Sequence, residues 1–343
     1  MMGGVFMSFI SNLSKEEILK RVGHEKQVAG IELREEIDGK GRGMRVARFY
    51  NTSGLELEVL PDRGMDIGKL SYKGIPLVWV SPTYLTSGKY YSEYEDEWKR
   101  LFFGGFLTTC GLLNVGPPSE GHGLHGRITS IESEEINKET YWLGDDYILS
   151  LSGKVRQAKI FNENYLMMRK IKMNHKNSSF EIFTTIINEA YREIPLMYLS
   201  HLNFGYPLLS PELEVTFLPR PDFIPRDSEA KKDKPEEILS FLDPQSNFKE
   251  RVFFGEYEKR KGEAEVKLIN KKIGIGVSFT WLLEEMYYVT IWKMLGEGEY
   301  VLGIEPGNSW PVGQKSFRSQ GRLDYLLPAE ERTFYLKVEI FDL

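Results

Sequence analysis

The residues best suited to acid/base chemistry in this sequence are two histidines and a glutamate that lie far apart along the chain. His125 stands in a glycine-rich stretch, residues 104–128, and is followed after one glycine by Arg127. His201 occurs in a second segment, and Glu305 directly precedes a Pro-Gly pair in a third. Because imidazole and carboxyl groups are the usual general acids and bases, we predict that the three segments meet in one site for a polar, uncharged ligand.

The glycine-rich stretch is typical of backbone that approaches a ligand closely, because glycine accepts positive φ angles. Arg127 would offer a rigid set of donors to an oxygen-rich ligand. The alternative is a mobile surface loop in which His125 is a turn residue bonded to backbone. His122 and His125 form an HxxH pair that could be half of a metal site, but no cysteine or carboxylate accompanies them at ligand spacing. We therefore predict no metal.

The other two segments suggest the floor and edge of a cleft. His201 and Asn203 are two residues apart in a strand-like segment, so both side chains are expected on one face, with Leu202 and Phe204 on the other. A core histidine paired with a neighbour is the alternative. Glu305 ends an apolar run, where partial burial would raise its pKa and suit it as a general base. A solvated glutamate at a strand end is the alternative there.

Composition restricts the class of protein and its partners. The 343 residues are 41% hydrophobic and 27% charged with a net charge of −6, which is typical of a soluble globular protein and argues against nucleic acid as a partner. We expect no membrane association, because no apolar run is long enough to span and the N-terminus lacks a signal peptide. The single cysteine, Cys110, excludes an intrachain disulfide, favours a cytoplasmic location and is expected to be a buried hydrophobe.

Sequence patterns predict one helix and many strands. Ser14 and Glu17 form a capping-box pattern at the start of a helix over residues 12–23. Alternation of apolar and polar residues then predicts strands. They cover residues 55–59, 75–80, 128–136, 147–155, 165–173, 180–188, 197–204, 263–270, 273–281, 287–294 and 300–306, and a terminal strand around 334–340. Residues 138–146 are expected to form a turn.

Many short strands with few helices predict an all-β fold, a large antiparallel β-sandwich with a short N-terminal helix. We divide the chain into an N-terminal helical extension, residues 1–27, and a single β-sandwich domain, residues 28–343. Residues 83–100 are polar and aromatic without a period, and are expected to fold over the sheet. Residues 219–250 are rich in proline and charge and are expected to form a long loop.

Four motifs in this order resemble the galactose mutarotase-like superfamily, the aldose 1-epimerases and their relatives. They are PDRGMDIGKL (61–70), GGFLTTCGLLNVGPP with HGLHGRI (104–128), YLSHLNFGYP (198–207) and GIEPGNSWPVGQ (303–314). The particular resemblance is to a bacterial epimerase-like branch of unassigned function. It implies a β-supersandwich with the sugar on a concave face.

The same resemblance implies roles for particular residues. Glu305 would be the general base and His201 the general acid, while His125 and Arg127 would bind the ligand. Asn203, which we place on the cleft floor beside His201, is expected to be a further substrate contact. In the first motif, Arg63 and Asp66 could bind the sugar or form a salt bridge within their turn.

The implied activity is that of an isomerase that interconverts the anomers of a free sugar by ring opening, with the base and the acid on opposite sides of the ring. No cofactor is required. One alternative is a hexose-6-phosphate 1-epimerase, which would need cations converging on the pocket; Arg42, Arg45, Arg63 and Arg127 are available. The other is a non-catalytic carbohydrate-binding protein on the same fold. The expected partner is a small-molecule carbohydrate, and a homodimer is compatible with the sequence.

Overall fold

The chain folds into two antiparallel β-sheets that share one hydrophobic core. The structure, a computed structural model, describes residue 10 and residues 12–343. Over these residues it contains a twelve-stranded and an eight-stranded sheet. Aromatic pairs join the two sheets, including Phe106 with Phe180 at 5.5 Å and Phe204 with Phe279 at 5.8 Å between ring centroids. The predicted all-β antiparallel sandwich is confirmed.

The larger sheet carries the candidate site. Its strands are β1 (Gly30–Glu35), β2 (Arg45–Tyr50), β3 (Leu55–Leu60), β4 (Asp66–Tyr72), β5 (Ile75–Pro76), β6 (Leu107–Leu112), β11 (Ile194–Gly205), β13 (Phe223–Pro225), β14 (Arg251–Glu256), β17 (Tyr288–Gly296), β18 (Glu299–Gly307) and β19 (Asp324–Leu326). The main path runs β1-β2-β3-β4-β6-β11-β18-β17-β14-β13, with β5 on β4 and β19 on β11. Strands β6, β11, β18 and β17 therefore lie side by side although they are far apart in sequence.

The smaller sheet backs the larger one. Its strands are β7 (Glu134–Leu143), β8 (Asp146–Ala158), β9 (Asn164–Asn174), β10 (Ser179–Asn188), β12 (Leu213–Leu218), β15 (Glu263–Asn270), β16 (Ile275–Leu282) and β20 (Glu331–Asp342), in the order β12-β15-β16-β20-β10-β9-β8-β7. In β10 every second side chain is buried and the others are half-buried. This two-residue period is what the sequence predicts for a strand with one face in the core.

Helices are short and few in the described part of the chain. The α-helices are α1 (Lys15–Leu19) and α2 (Gln314–Ser319), and the 3-10 turns are Glu25–Gln27, Gly39–Gly41, Gly88–Tyr90, Glu97–Arg100, Ile128–Ser130 and Ala230–Lys232. The capping box at Ser14 and Glu17 is confirmed, but α1 ends at Leu19 instead of reaching residue 23. Residues 1–9 and 11 of the predicted N-terminal extension lie outside the described residues. No helix within residues 12–343 is long and apolar enough to cross a membrane.

Two sequence predictions about loops need correction. The turn expected at residues 138–146 is wrong, because β7 continues to Leu143 and pairs with β8 along most of its length. Its polar, exposed residues look like a loop since β7 is an edge strand with little buried surface. The loop expected at residues 219–250 contains β13 and a 3-10 turn. It is held in place by Lys293, which donates to the carbonyl of Glu237 at 3.0 Å.

Candidate active site

His201 and Glu305 are in direct contact on the larger sheet. Strand β11 pairs with β18 so that Leu202 lies opposite Ile304, and this register places His201 beside Glu305. Nε2 of His201 is 3.2 Å from Oε1 of Glu305, and the two side chains are only 6% and 2% exposed. The expectation that these groups lie on opposite sides of a sugar ring is wrong. They stand side by side, because neighbouring residues of adjacent strands project from the same face.

Aromatic side chains cover the pair. The ring centroids of Phe102 and Trp292 lie 5.1 Å and 5.3 Å from that of His201. Trp98 stacks on Phe102 at 4.7 Å and lies 4.8 Å from the ring of His125. Since Trp98 belongs to the excursion at residues 83–100, that segment does fold over the sheet. The apolar cover excludes water and strengthens every polar interaction beneath it.

Burial shifts the pKa values of the pair in opposite directions. Desolvation raises the pKa of Glu305 well above its usual value; the charge of Glu250 adds to this effect and Arg226 opposes it. Desolvation, followed by the nearby His125, lowers the pKa of His201. Burial therefore disfavours the charged form of each side chain and favours a neutral imidazole beside a protonated carboxyl.

His125 is brought to the pair by a tight backbone turn. Its φ is 56°, and its ring centroid lies 6.0 Å from that of His201. The Gly116 amide donates to Nδ1 of His125 at 3.4 Å, which assigns the remaining proton to Nε2 and makes this nitrogen a donor. Burial, followed by the charge of Lys99, lowers the pKa of His125 to about 4. His125 is therefore a neutral hydrogen-bond donor at neutral pH.

Arg127 lies further out than His125. Its guanidinium is 5.7 Å from the ring centroid of Tyr91, and Nη1 is 3.9 Å from Oε2 of Glu93. The side chain is 41% exposed. The structure therefore leaves Arg127 at the surface near His125, where it could reach a ligand only at the edge of the site.

Asn203 fixes the glycine-rich turn to the floor of the site. Its Nδ2 donates to the carbonyls of Gly105 at 3.1 Å and His201 at 3.0 Å. Gly105 has a φ of 71°, and a Cβ there would lie 2.7 Å from the carbonyl oxygen of Ile67. A side chain at this position would therefore push the turn away from β4. Asn203 is fully buried, and its Oδ1 has no partner in the described part of the chain.

Arg63 lies in the interior and binds backbone. It donates to the carbonyls of Thr129 at 2.8 Å, Thr86 at 2.6 Å and Leu101 at 2.9 Å. The side chain is fully buried, which lowers its pKa to about 10. Thr86 and Leu101 flank the segment that carries Trp98. Arg63 therefore anchors both ends of the cover instead of facing a ligand.

Asp66 also has interior partners. It accepts from the Thr109 amide at 2.9 Å and the Thr129 hydroxyl at 2.7 Å, and Arg169 donates to Oδ1 at 2.7 Å. Arg169 lies on β9 of the smaller sheet, and both charged side chains have 0% exposure. The pair therefore ties the two sheets together. Neither Arg63 nor Asp66 is brought to the His201–Glu305 pair.

The arginines that a phosphate site would need have separate partners. Nε of Arg45 donates to Asp62 at 2.8 Å, and Arg63 binds the three carbonyls described above. Arg127 lies beside Glu93 and Arg42 is exposed. Three of these four cations are thus already engaged.

No group of three histidine, cysteine or acidic side chains within residues 12–343 is arranged to hold a metal ion. Nδ1 of His122 lies 3.4 Å from Oε1 of Glu93 at the surface. Cys110 is buried, and its pKa is raised well above the usual value, chiefly by desolvation. The thiol is therefore not activated as a nucleophile.

Sequence reasoning missed one polar residue of the site. Thr290 on β17 lies opposite Glu305 in the register of β17 with β18. Its position two residues before Trp292 predicts that the two share a face, but the sequence does not give the register that sets Thr290 opposite Glu305. Trp98 and Trp292 are placed over the pair only by the tertiary structure.

Solved structures with a similar fold define the class. A Klebsiella pneumoniae subsp. pneumoniae protein provisionally named an aldose 1-epimerase has a TM-score of 0.82 at 21% identity, covering 91% of this chain and 83% of that one. A galactose mutarotase-like protein of Clostridium acetobutylicum has a TM-score of 0.60 at 16% identity, and the match covers 92% of this chain and 100% of that one. The galactose 1-epimerase of Lactobacillus acidophilus NCFM has a TM-score of 0.59 at 10% identity, and the match covers 92% of this chain and 99% of that one. The fold is a galactose mutarotase-like β-sandwich.

The sequence places the chain in a particular family within that class. Residues 41–340 match the family described as "Domain of unknown function (DUF4432)", and the chain belongs to it. A search of curated proteins gives no match. The family match spans the segments that carry His125, His201 and Glu305.

The interior role of Asp66 predicts a stability effect. Asp66→Asn leaves Arg169 as a buried charge without its partner, so we expect the free energy of unfolding to fall by about 3–5 kcal/mol. Urea denaturation measures this change. Asp342→Asn is the control, because it removes an exposed ion pair with Lys73 and should cost about 1 kcal/mol or less. Equal, small effects of the two substitutions would contradict the interior role.

The lowered pKa of His125 predicts a pH effect on stability. The unfolded chain protonates this histidine near pH 6.5, whereas the native state does so only near the pKa of about 4. The stability that neutral His125 contributes is thus complete above pH 6.5 and is lost as the pH falls through about 4.

The test is urea denaturation of His125→Asn between pH 7 and pH 4. Asparagine tolerates positive φ, and it should make the loss of stability with falling pH less steep. Replacing the exposed His24 by Asn should leave the slope unchanged. An unaltered slope in His125→Asn would refute the assignment.

Proposed function

We propose that the protein is an isomerase that interconverts the α and β anomers of a free sugar, with Glu305 as general base and His201 as general acid. The observation that carries the proposal is the contact of 3.2 Å between His201 and Glu305 beneath an aromatic cover. The galactose mutarotase-like fold supports the reaction class. A small-molecule carbohydrate is the expected ligand, and the single cysteine supports a cytoplasmic location.

The side-by-side arrangement suits the chemistry of a cyclic hemiacetal. The ring oxygen and the anomeric hydroxyl are both bonded to C1, so two neighbouring groups on one floor can reach both oxygens. Glu305 takes the proton of the anomeric hydroxyl while His201 gives one to the ring oxygen, and the bond from C1 to the ring oxygen breaks. The aldehyde rotates and the ring recloses by the reverse transfers. No net proton is gained or lost.

The proton on the pair can lie on either residue. In the covered, ligand-free site, burial favours the neutral form with protonated Glu305. A bound sugar brings hydroxyl groups, which lower the cost of charge beneath the cover and favour the form with ionised Glu305 and protonated His201. A single proton transfer across the existing contact connects these forms.

His125 is suited to holding the sugar. Its Nε2–H is a fixed donor close to His201, and its low pKa keeps it neutral, so it adds no charge to repel the protonated His201. Arg127, at the surface nearby, would contact an exposed hydroxyl. Asn203 would contribute its Oδ1 as an acceptor, in addition to positioning the glycine turn.

An uncharged sugar is favoured over a sugar phosphate. The cations nearest the site have acidic partners: Arg226 donates to Glu250 at 2.8 Å, and Arg127 lies beside Glu93. A phosphate would have to displace these carboxylates, whereas hydroxyl groups need not.

Glu305→Gln tests the role of the carboxylate. It keeps the shape of the side chain and removes the base, so we expect anomer exchange to fall by about 10²–10⁴-fold. Exchange would be measured by saturation-transfer NMR on a panel of free sugars and their 6-phosphates. Glu299→Gln is the matched control, since Glu299 lies at the exposed end of the same strand.

The outcomes separate the candidate functions. Equal exchange by the wild type and Glu305→Gln on every sugar bound would refute catalysis by this carboxylate. Sugar binding without exchange in the wild type would favour a non-catalytic binding protein. Exchange confined to the 6-phosphates would favour the phosphorylated substrate.

The opposed pKa shifts predict a broad pH profile. The active pair holds one proton, so exchange should be constant through neutral pH. It should fall at acidic pH, where the pair takes up a second proton, and at alkaline pH, where it loses its only one. The pKa of His201 is lowered and that of Glu305 is raised. We therefore expect the exchange rate to fall on the acid side well below pH 6.5 and on the alkaline side well above pH 4.5.

The measurement is the enzyme-dependent exchange rate after subtraction of the rate in buffer at each pH. In Glu305→Gln there is no carboxylate to be protonated, so any residual activity should lose the acid limb and should still fall as His201 gives up its proton. A profile confined between pH 4.5 and 6.5 would contradict the shared-proton assignment.

A further inference from the structure

Two buried polar atoms close to the His201–Glu305 pair lack hydrogen-bond partners within the described residues. They are Oγ1 of Thr290 and Nε1 of Trp98. Buried polar groups are nearly always hydrogen-bonded in folded proteins. Two such atoms beside one pair of acid/base residues point to a polar ligand as their partner. The proposed reaction gives neither residue a role.

Thr290 lies on the floor of the site. Strand β17 pairs with β18, and Thr290 is directly opposite Glu305 in that register. Facing residues of an antiparallel pair project from the same side of the sheet, so the hydroxyl lies beside the carboxyl. Thr290 is 1% exposed. The polar row His201, Glu305 and Thr290 thus crosses three neighbouring strands.

Trp98 lies in the cover. Its ring is 3% exposed, stacks on Phe102 and lies 4.8 Å from the ring of His125. The segment that carries it is anchored at both ends by Arg63 and is not part of the sheet. An indole N–H is a donor only, and this one has no acceptor among the described residues. The floor and the cover of the site therefore each carry a donor with no partner in the described part of the chain, the Thr290 hydroxyl and the Trp98 indole N–H.

We propose that Thr290 and Trp98 are ligand-contact residues, and that the Thr290 hydroxyl and the Trp98 indole N–H bind hydroxyl groups of the sugar held over Glu305 and His201. This inference rests on the proposed function and deepens it. It requires a ligand with hydroxyl groups directed both to the sheet and to the cover, as a pyranose would have. Because Phe102 and Trp292 pack against His201 in the ligand-free site, the cover must separate from the sheet to admit such a ligand.

A structural role would give the opposite stability effect. Removing a buried hydroxyl that has a partner leaves that partner unsatisfied and destabilises the protein. Removing a buried hydroxyl that has no partner takes away an unsatisfied group and should be neutral or stabilising. Thr290→Val keeps the shape of the side chain and removes only the hydroxyl, so it distinguishes a role in ligand contact from a role in stability.

The experiment measures affinity and thermal stability together for Thr290→Val and Trp98→Phe in the full chain. The probes are D-galactose, D-glucose and their methyl β-glycosides, titrated by NMR. Methyl glycosides cannot open their ring, so they report binding without turnover. We expect each substitution to weaken binding of the preferred sugar by about 3- to 10-fold. The Tm of Thr290→Val should be unchanged or higher.

Two matched controls complete the set. The buried Thr184 hydroxyl accepts from Nε of Arg169 at 3.0 Å, so Thr184→Val should lower Tm and leave affinity unchanged. Trp142 lies on β7, at the edge of the smaller sheet, and its indole nitrogen also has no partner among residues 12–343. Trp142→Phe should leave affinity unchanged.

Each outcome bears on one proposal or the other. Wild-type affinity in both Thr290→Val and Trp98→Phe would overturn the contact assignment, while loss of exchange in Glu305→Gln would still support the isomerase. A lower Tm with unchanged affinity in Thr290→Val would show the hydroxyl to be structural. Weaker binding without any exchange in the wild type would refute the isomerase and uphold the contacts. No binding of any probe would overturn both.

Discussion

The buried ion pair between Asp66 and Arg169 is the constraint on which the arrangement of the site depends. It joins β4 of the larger sheet to β9 of the smaller one, with both charges fully buried. Asp66 also accepts from Thr109 on β6, the neighbour of β11, and from Thr129, close to the His125 turn. Such a pair holds its surroundings firmly, because separating the charges in the interior is costly. It therefore fixes the relative positions of the strand that bears His201 and the turn that bears His125.

Above this interior network, the aromatic cover determines the chemistry of the site. Phe102, Trp98 and Trp292 remove water from the His201–Glu305 pair, and desolvation moves both pKa values toward the neutral forms. Arg63 connects the cover to the interior, since it binds the carbonyls at both ends of the segment that carries Trp98. Arg63 and Asp66, which the first sequence motif suggested as possible ligand contacts, therefore act from the interior. Arg63 anchors the cover, and Asp66 connects the two sheets.

Much of the fold and part of the site followed from sequence patterns. Two-residue alternation identifies strands such as β10 and β20 because one face of each is in the core. The same reasoning fails for β7, whose edge position leaves almost no apolar signal. His201 and Asn203 are identifiable as residues of one face, and motif order brings Glu305 to the same site. Thr290 is not identifiable, because its importance comes from a strand neighbour fifteen residues away.

The sequence by itself determined the class of fold, the candidate residues His201 and Glu305, and the capping box at Ser14. These depend on local periodicity and on side-chain chemistry, which are present in every short segment. Only the tertiary structure decided that the two groups stand side by side, that Arg63 and Asp66 are interior, and that Trp98 covers the site. Those features depend on the register between distant strands and on burial, and neither is encoded within a single segment.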